Sequence, residues 1–275
     1  MEVKPGYKKT EVGVIPEEWE AKRLGEIASI SAGGTPSRTD ARYWNGDIPW
    51  VTTSEVDSYT INHTEQFITK EGLKNSAAKL LPPGTLLMAL YGQGKTRGKV
   101  GVLGIEAATN QACAAISLNR SVCPKFIFHF LASQYEVIRN LSNTGNQENL
   151  NGQIVKSIVI LLPPEREQRA IAEALGDVDA LLGALEKLIA KKRDLKQAAM
   201  QQLLTGQKRL PGFRVEWEVK RLGEVVKITK GQLITEKDAI QGPVPVIAGG
   251  MKPAYFHNKP NRTGRTITVS QQFSL

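Results

Sequence analysis

The strongest constraint on this chain is that it begins twice. Glu18-Trp19-Glu20-Ala21-Lys22-Arg23-Leu24-Gly25-Glu26 returns as Glu216-Trp217-Glu218-Val219-Lys220-Arg221-Leu222-Gly223-Glu224, with one difference in nine positions and an offset of 198 residues. Ile30 and Gly33 find Ile228 and Gly231 at the same offset. A period near 200 is too long for a solenoid repeat and fits one whole domain plus a connector. The chain therefore opens a module, completes it, crosses a connector and opens the same module again, as expected of a protein that does one thing at two places.

From Trp19 to Leu162 the sequence reads as short strands between turn signals. Strand-like runs fall at 25–31, 48–52, 85–90, 99–103, 113–118 and 154–162, and a helix is expected over Pro124–Asn140. Residues 1–18 read as a polar lead-in. Pro163-Pro164 then prepares a helix start. From Glu165 to Leu204 no proline interrupts, and Ile171, Leu175, Val178, Leu182, Leu185 and Ile189 step by four and three, with Leu181, Leu188 and Leu195 widening the stripe. The helix is acid-rich first and base-rich last, matching its dipole, and Thr205-Gly206 ends it. Forty residues at ~1.5 Å each make a rod of roughly 60 Å that cannot bury its own stripe. Gly176 and Gly183, seven apart on one face, read as tolerated surface glycines or, alternatively, as a face that another backbone approaches. The expected organisation is α+β: a mixed domain over 1–162, a coiled-coil connector over 163–206, and an incomplete second domain over 207–275. The second copy runs 59 residues from Trp217, where the first needs 144.

The net charge is +9, distributed as +2 over residues 1–164, zero over 165–204 and +7 over 205–275. Between Glu71 and Glu106 there is no acidic residue, while Lys74, Lys79, Lys95, Arg97 and Lys99 all lie there. Such a face suits a phosphate backbone. No apolar run of 18 residues exists, so no membrane helix is expected, and the two cysteines, Cys113 and Cys123, have no zinc spacing. A reduced, cytoplasmic protein is expected.

Ala89-Leu90-Tyr91-Gly92-Gln93-Gly94-Lys95-Thr96 imitates a phosphate-binding loop, but such a loop must open a helix. Here it runs into Arg97-Gly98-Lys99-Val100-Gly101-Val102, which reads as loop then strand. The better reading is a flexible glycine-rich loop carrying Lys95, Arg97 and Lys99 toward nucleic acid. No metal-ligand spacing joins His63, His129 and His257, which read as surface residues. No nucleophile elbow and no methyltransferase tetrapeptide is present, so the chain reads as a binder. Amides and guanidinium groups on loops are what base edges in a major groove require. On that ground Thr35, Ser37, Arg38, Asn110, Gln111, Asn146, Gln147 and Asn149 join the three basic residues as candidate DNA contacts, though each alone also fits ordinary turn chemistry. A coiled-coil interaction protein with a non-DNA ligand domain is the alternative.

Taken together, these motifs resemble the specificity subunit of Type I restriction–modification enzymes. The resemblance is carried by Ile15-Pro16-x-x-Trp19-x-x-x-Arg23-Leu24-Gly25-Glu26-Ile27, by Gly33-Gly34-Thr35-Pro36-Ser37 with Trp44-x-Gly46-x-Ile48-Pro49-Trp50, and by Leu81-Pro82-x-Gly84-Thr85-Leu86-Leu87. It is strongest in Leu162-Pro163-Pro164-x-x-x-Gln168-x-x-Ile171-Ala172 and Lys196-Gln197-x-x-Met200-Gln201-Gln202-Leu203-Leu204-Thr205-Gly206. It implies that each module is a target recognition domain reading half of a bipartite site in double-stranded DNA. It implies that the long helix sets the spacer and docks methyltransferase subunits, and that restriction subunits join the complex. Catalysis, with S-adenosylmethionine, ATP and magnesium, then belongs to those partners, and this chain carries no cofactor. Full-length members have a second long helix after a complete second domain. Its absence here suggests a homodimer through Ile171, Leu175, Val178, Leu182, Leu185 and Ile189.

Overall fold

The computed structural model describes residues 4–57, 60–92, 95–141, 149–249, 252–264 and 266–269. By internal contacts the chain divides into two units, Met1–Leu195 and Lys196–Leu275.

The first unit begins with a hairpin, β1 (Tyr7–Thr10) and β2 (Gly13–Pro16), where the sequence suggests only a polar lead-in. The repeated opening comes next, as β3 (Glu20–Arg23) and a one-turn helix, α1 (Leu24–Ile27). The Arg23 N–H donates to the Glu26 carboxylate at 2.7 Å, so the acid at the third helical position caps the turn. After it lie β4 (Ala28–Ala32), β5 (Trp44–Val51), β6 (Thr60–Ile61), β7 (Phe67–Ile68) and α2 (Lys70–Lys74). The centre of the unit is β8 (Leu86–Ala89), β9 (Val100–Leu103), β10 (Ala108–Thr109) and β11 (Cys113–Leu118).

A five-stranded sheet runs β4-β11-β8-β9-β6, antiparallel except for the parallel pair β6 and β9. Every residue of β8 is buried, and alternation sends its side chains into two cores. Leu86 and Met88 pack with Ile116 and with Phe126, Ile127 and Leu131, while Leu87 and Ala89 pack with Val51, Val56, Leu103 and Ala115. The helices α3 (Pro124–Ser133), α4 (Tyr135–Arg139) and α5 (Gly152–Ser157) contribute to the first core, as does α1. The sequence predicts one continuous helix over 124–140, but it breaks at Gln134. The expected strand over 154–162 is instead α5 and then β12 (Val159–Leu162). A second sheet, β10-β5-β7, surrounds Trp50, Ile68, Ala78 and Ala108.

The end of the domain returns to its beginning. β12 pairs antiparallel with β3, Val159 opposite Arg23 and Leu162 opposite Glu20. The connector helix, α6 (Glu165–Leu204), starts at once, with the boundaries its proline start and glycine stop indicate. Its first turns are locked to the domain. Gln168, 2% exposed, donates to the Pro163 carbonyl at 2.8 Å and accepts the Cys123 N–H at 2.9 Å. Trp19 Nε1 donates to Glu167 at 3.1 Å, and Ala172 is buried. His129, expected at the surface, is half-buried on α3 with Nε2 3.8 Å from the Asp179 carboxylate.

The second unit repeats the opening locally. Arg221 and Glu224 cap α7 (Leu222–Val225) as Arg23 and Glu26 cap α1, and β13 (Val244–Val246) pairs with β14 (Tyr255–His257). Residues 266–269 have no regular structure. Among the described residues no helix is long and apolar enough to cross a membrane.

This packing can be tested at two residues. Gln168→Ala strands the buried Pro163 carbonyl and the part-buried Cys123 N–H, and urea unfolding should show a loss of about 1–3 kcal/mol. Burial holds the His129 imidazole below its ordinary value of 6.5, with Asp179 opposing and Lys125 adding to the effect. A depressed folded value means that the neutral ring contributes stability above the ordinary value, and that this contribution is lost as pH falls. Wild-type stability should therefore drop through the mildly acidic range more than that of His129→Gln, as read by urea midpoints against pH.

Candidate nucleic-acid interface

The loop after β4 is fixed by its backbone. Gly33 and Gly34 lie so close to neighbouring chain that a side chain could not be added. A Cβ on Gly33 would stand 2.2 Å from the Thr109 carbonyl oxygen, and one on Gly34 would stand 2.3 Å from the Ala78 nitrogen. The two tryptophans of the second sheet hold the loop from Gly34 to Ser37. Trp50 Nε1 donates to the Gly34 carbonyl and Trp44 Nε1 to the Ser37 carbonyl, each at 2.9 Å. The Thr35 hydroxyl donates to the Gln111 side-chain oxygen, joining this loop to the turn between β10 and β11.

Thr35, Ser37, Arg38, Asn110 and Gln111 are therefore brought into one neighbourhood, although Thr35 and Gln111 are 76 residues apart in sequence. Their surroundings differ. Gln111, Ser37 and Arg38 are exposed. Asn110 is half-buried and its side-chain oxygen accepts the Ala112 N–H at 3.1 Å, so this amide shapes the turn. The Ser37 and Thr39 hydroxyls lie 2.9 Å apart. Arg42, close by, is held by Asp40 at 2.7 Å.

The segment carrying Lys95 and Thr96 lies between the antiparallel strands β8 and β9 and opens no helix, unlike a phosphate-binding loop. Its three cations are not equivalent, and its base is not the flexible loop expected. Tyr135 donates to the Lys95 carbonyl at 2.6 Å, and the Ala89 backbone pairs with Lys99 and Gly98 at 2.9 Å. Arg97 is 3% exposed, with its carbonyl 3.4 Å from Arg139, so its side chain is turned into the fold and not outward to a phosphate. Lys99 pairs with Asp57. Lys95 alone of the three is exposed. Sequence reasoning could not see this division, because it depends on α4 closing over the loop. Asn149 is half-buried before α5, and Asn146 and Gln147 lie outside the described residues.

On α6, Ile171 is half-buried against the domain core. Leu175, Val178, Leu182, Leu185 and Ile189 are 41–53% exposed, a continuous apolar face within the first unit. A Cβ on Gly176 or Gly183 would meet nothing within 4 Å, so among the described residues no backbone approaches either glycine. Among the described residues no group of three or more His, Cys, Asp and Glu side chains is gathered as a metal site. Burial pushes the Cys113 thiol up to about 12.

A pinned loop cluster lies on a two-core α+β domain that runs directly into a 40-residue helix. The chain belongs to the family of Type I restriction modification DNA specificity domains, whose pattern it matches over residues 16–196. It is 26% identical over 255 residues to the Type I restriction enzyme MjaIX specificity subunit of Methanocaldococcus jannaschii, an alignment covering 84% of this chain and 57% of that one. It is 28% identical over 186 residues to the EcoR124I/EcoR124II specificity subunit of Escherichia coli, covering 66% and 45%. It shares its fold with the crystal structure of a Type I restriction-modification S subunit from M. genitalium, with a TM-score of 0.52 at 16% identity over 95% of this chain and 65% of that one. The chain spans about half the length of the curated relatives it matches.

Two glycines give opposite expectations. Gly34→Ala forces a methyl group into the Ala77–Ala78 backbone, and urea denaturation should show a loss of about 1–3 kcal/mol or more. Gly176→Ala adds a methyl in open space on a helix, and the same measurement should show a gain of up to about 1 kcal/mol.

Proposed function

We propose that this chain is a DNA-reading specificity subunit of a Type I restriction–modification complex. Residues 1–162 form the target recognition domain, 163–206 the spacer and docking helix, and 207–275 the start of a second recognition domain. The first domain binds one half of a bipartite site in double-stranded DNA. The helix carries methyltransferase subunits, restriction subunits join them, and the assembly works on DNA in the cytoplasm. The observation that carries this reading is the loop cluster around Thr35, Arg38 and Gln111, held rigid on the sheet of a family member. A binding surface preset by backbone contacts loses little conformational freedom on meeting DNA. Methyl transfer, ATP use and cleavage belong to the partner subunits, with S-adenosylmethionine, ATP and magnesium bound there.

The same reading gives the apolar face of α6 its use. Leu175, Val178, Leu182, Leu185 and Ile189 form a seam at the spacing of a coiled coil. Two copies pair these seams antiparallel when no partner subunit covers them, which places two first domains at opposite ends of a shared rod.

The purified chain should bind duplex DNA with a salt-sensitive affinity. It should support methylation of a sequence-defined adenine only with methyltransferase subunits and S-adenosylmethionine added. Methylation or cleavage by the chain alone would refute the division of labour. Lys95→Ala should reduce the log–log salt slope by roughly 0.9, whereas Lys99→Ala, already paired to Asp57, should change it less. Equilibrium sedimentation should find wild-type dimers and monomeric Leu182→Asp/Leu185→Asp, because the double variant would bury charge in the seam. A monomeric wild type would assign the seam to partner subunits alone.

A further inference from the structure

The charged group beside the pinned loop has an unusual mount. The Arg38 guanidinium carbon lies 3.8 Å from the centroid of the Trp44 ring and 4.9 Å from that of Trp50. The two indoles meet edge to face, with centroids 5.1 Å apart at 89°. The same indoles donate their Nε1 protons to the carbonyls of Ser37 and Gly34. Backbone and side chain of the loop are thus held by one pair of rings.

Stacking on an indole face fixes the plane of a guanidinium and leaves its N–H donors directed outward from its rim. The neighbouring cation Arg42 is neutralised by Asp40, with Glu71 3.8 Å away. Arg38 has no carboxylate within ion-pair distance among the described residues and is exposed. A phosphate contact requires only a charge, which a mobile lysine delivers. A fork whose plane is fixed in advance suits two acceptors in a fixed plane, and in the DNA major groove these are guanine O6 and N7.

We infer that Arg38 is a specificity-determining residue that reads one guanine of the target from the major groove, with Trp44 and Trp50 as positioning residues. This rests on the first domain binding duplex DNA, as proposed above. Trp44 and Trp50 set the angle of the fork and touch no base.

The test is selection from a randomised duplex library by the full chain assembled with methyltransferase subunits, comparing wild type, Arg38→Ala and Arg38→Lys. Wild type should enrich a motif containing at least one guanine. Both variants should enrich the same motif with one guanine position relaxed, discrimination there falling roughly 5- to 150-fold. Arg38→Lys keeps the charge, so loss of discrimination in it separates the fork from electrostatics. Replacing that guanine by 7-deazaguanine should weaken wild-type binding and leave Arg38→Ala binding unchanged. Trp44→Leu should relax the same position while the salt slope stays fixed. If Arg38→Ala instead weakens all sequences equally and lowers the salt slope by roughly 0.9, Arg38 is a phosphate contact and the inference fails. An unchanged motif and affinity would also overturn it. A wild-type complex that enriches no motif would overturn the DNA-reading function itself, a different failure.

Discussion

The pairing of β3 with β12 is the constraint on which the first unit depends. It joins Glu20–Arg23 to Val159–Leu162, the two ends of the sheet-rich part of the first unit, and everything between must close within that loop. It also delivers the chain to Pro163 and so fixes where α6 begins. Gln168, buried between the Pro163 carbonyl and the Cys123 N–H, carries the constraint one turn into the helix. The Trp19–Glu167 hydrogen bond reinforces it from the repeated segment itself. The first turns of α6 are thus seated on the rest of the first unit by Gln168, a buried polar side chain that is costly to misplace because it would lose its partners in a low-dielectric site.

The internal repeat separates what local sequence decides from what tertiary contact decides. Both copies form the same one-turn helix with the same backbone-to-glutamate cap. Yet Leu24 is fully buried, while Leu222, at the equivalent position, is 64% exposed. The cap lies within four residues and arises from the sequence wherever it occurs. Burial of the leucine requires a counterpart of α5 and β12, which residues 24–27 have and residues 222–225 lack among the described residues.

The same distinction explains which elements could be read in advance. The limits of α6 were legible because Pro163-Pro164 and Thr205-Gly206 act locally, and the central strands because their apolar runs are short and bounded by turns. The β1–β2 hairpin was not, since Tyr7–Pro16 carries no strong alternation. Val155 and Ile158 look equally apolar in a strand or a helix, and Asn151 decided the matter by capping α5, its side chain accepting the Ile154 N–H at 2.9 Å. At the candidate site, the pairing of Thr35 with Gln111 and the inward turn of Arg97 join segments far apart in sequence. The Gly33-Gly34 doublet before Trp44 and Trp50 was the one available signal, and its meaning lay in the backbone contacts those glycines permit.

The loop that carries Arg38 divides its labour by residue. Gly33, Gly34 and Trp50 are closed in by neighbouring backbone and side chains, whereas the side chains of Ser37 and Arg38 are exposed. Substitution at the outward positions therefore costs the fold little. Point changes at such positions alter the chemistry the surface presents, without first inventing a new loop to carry them.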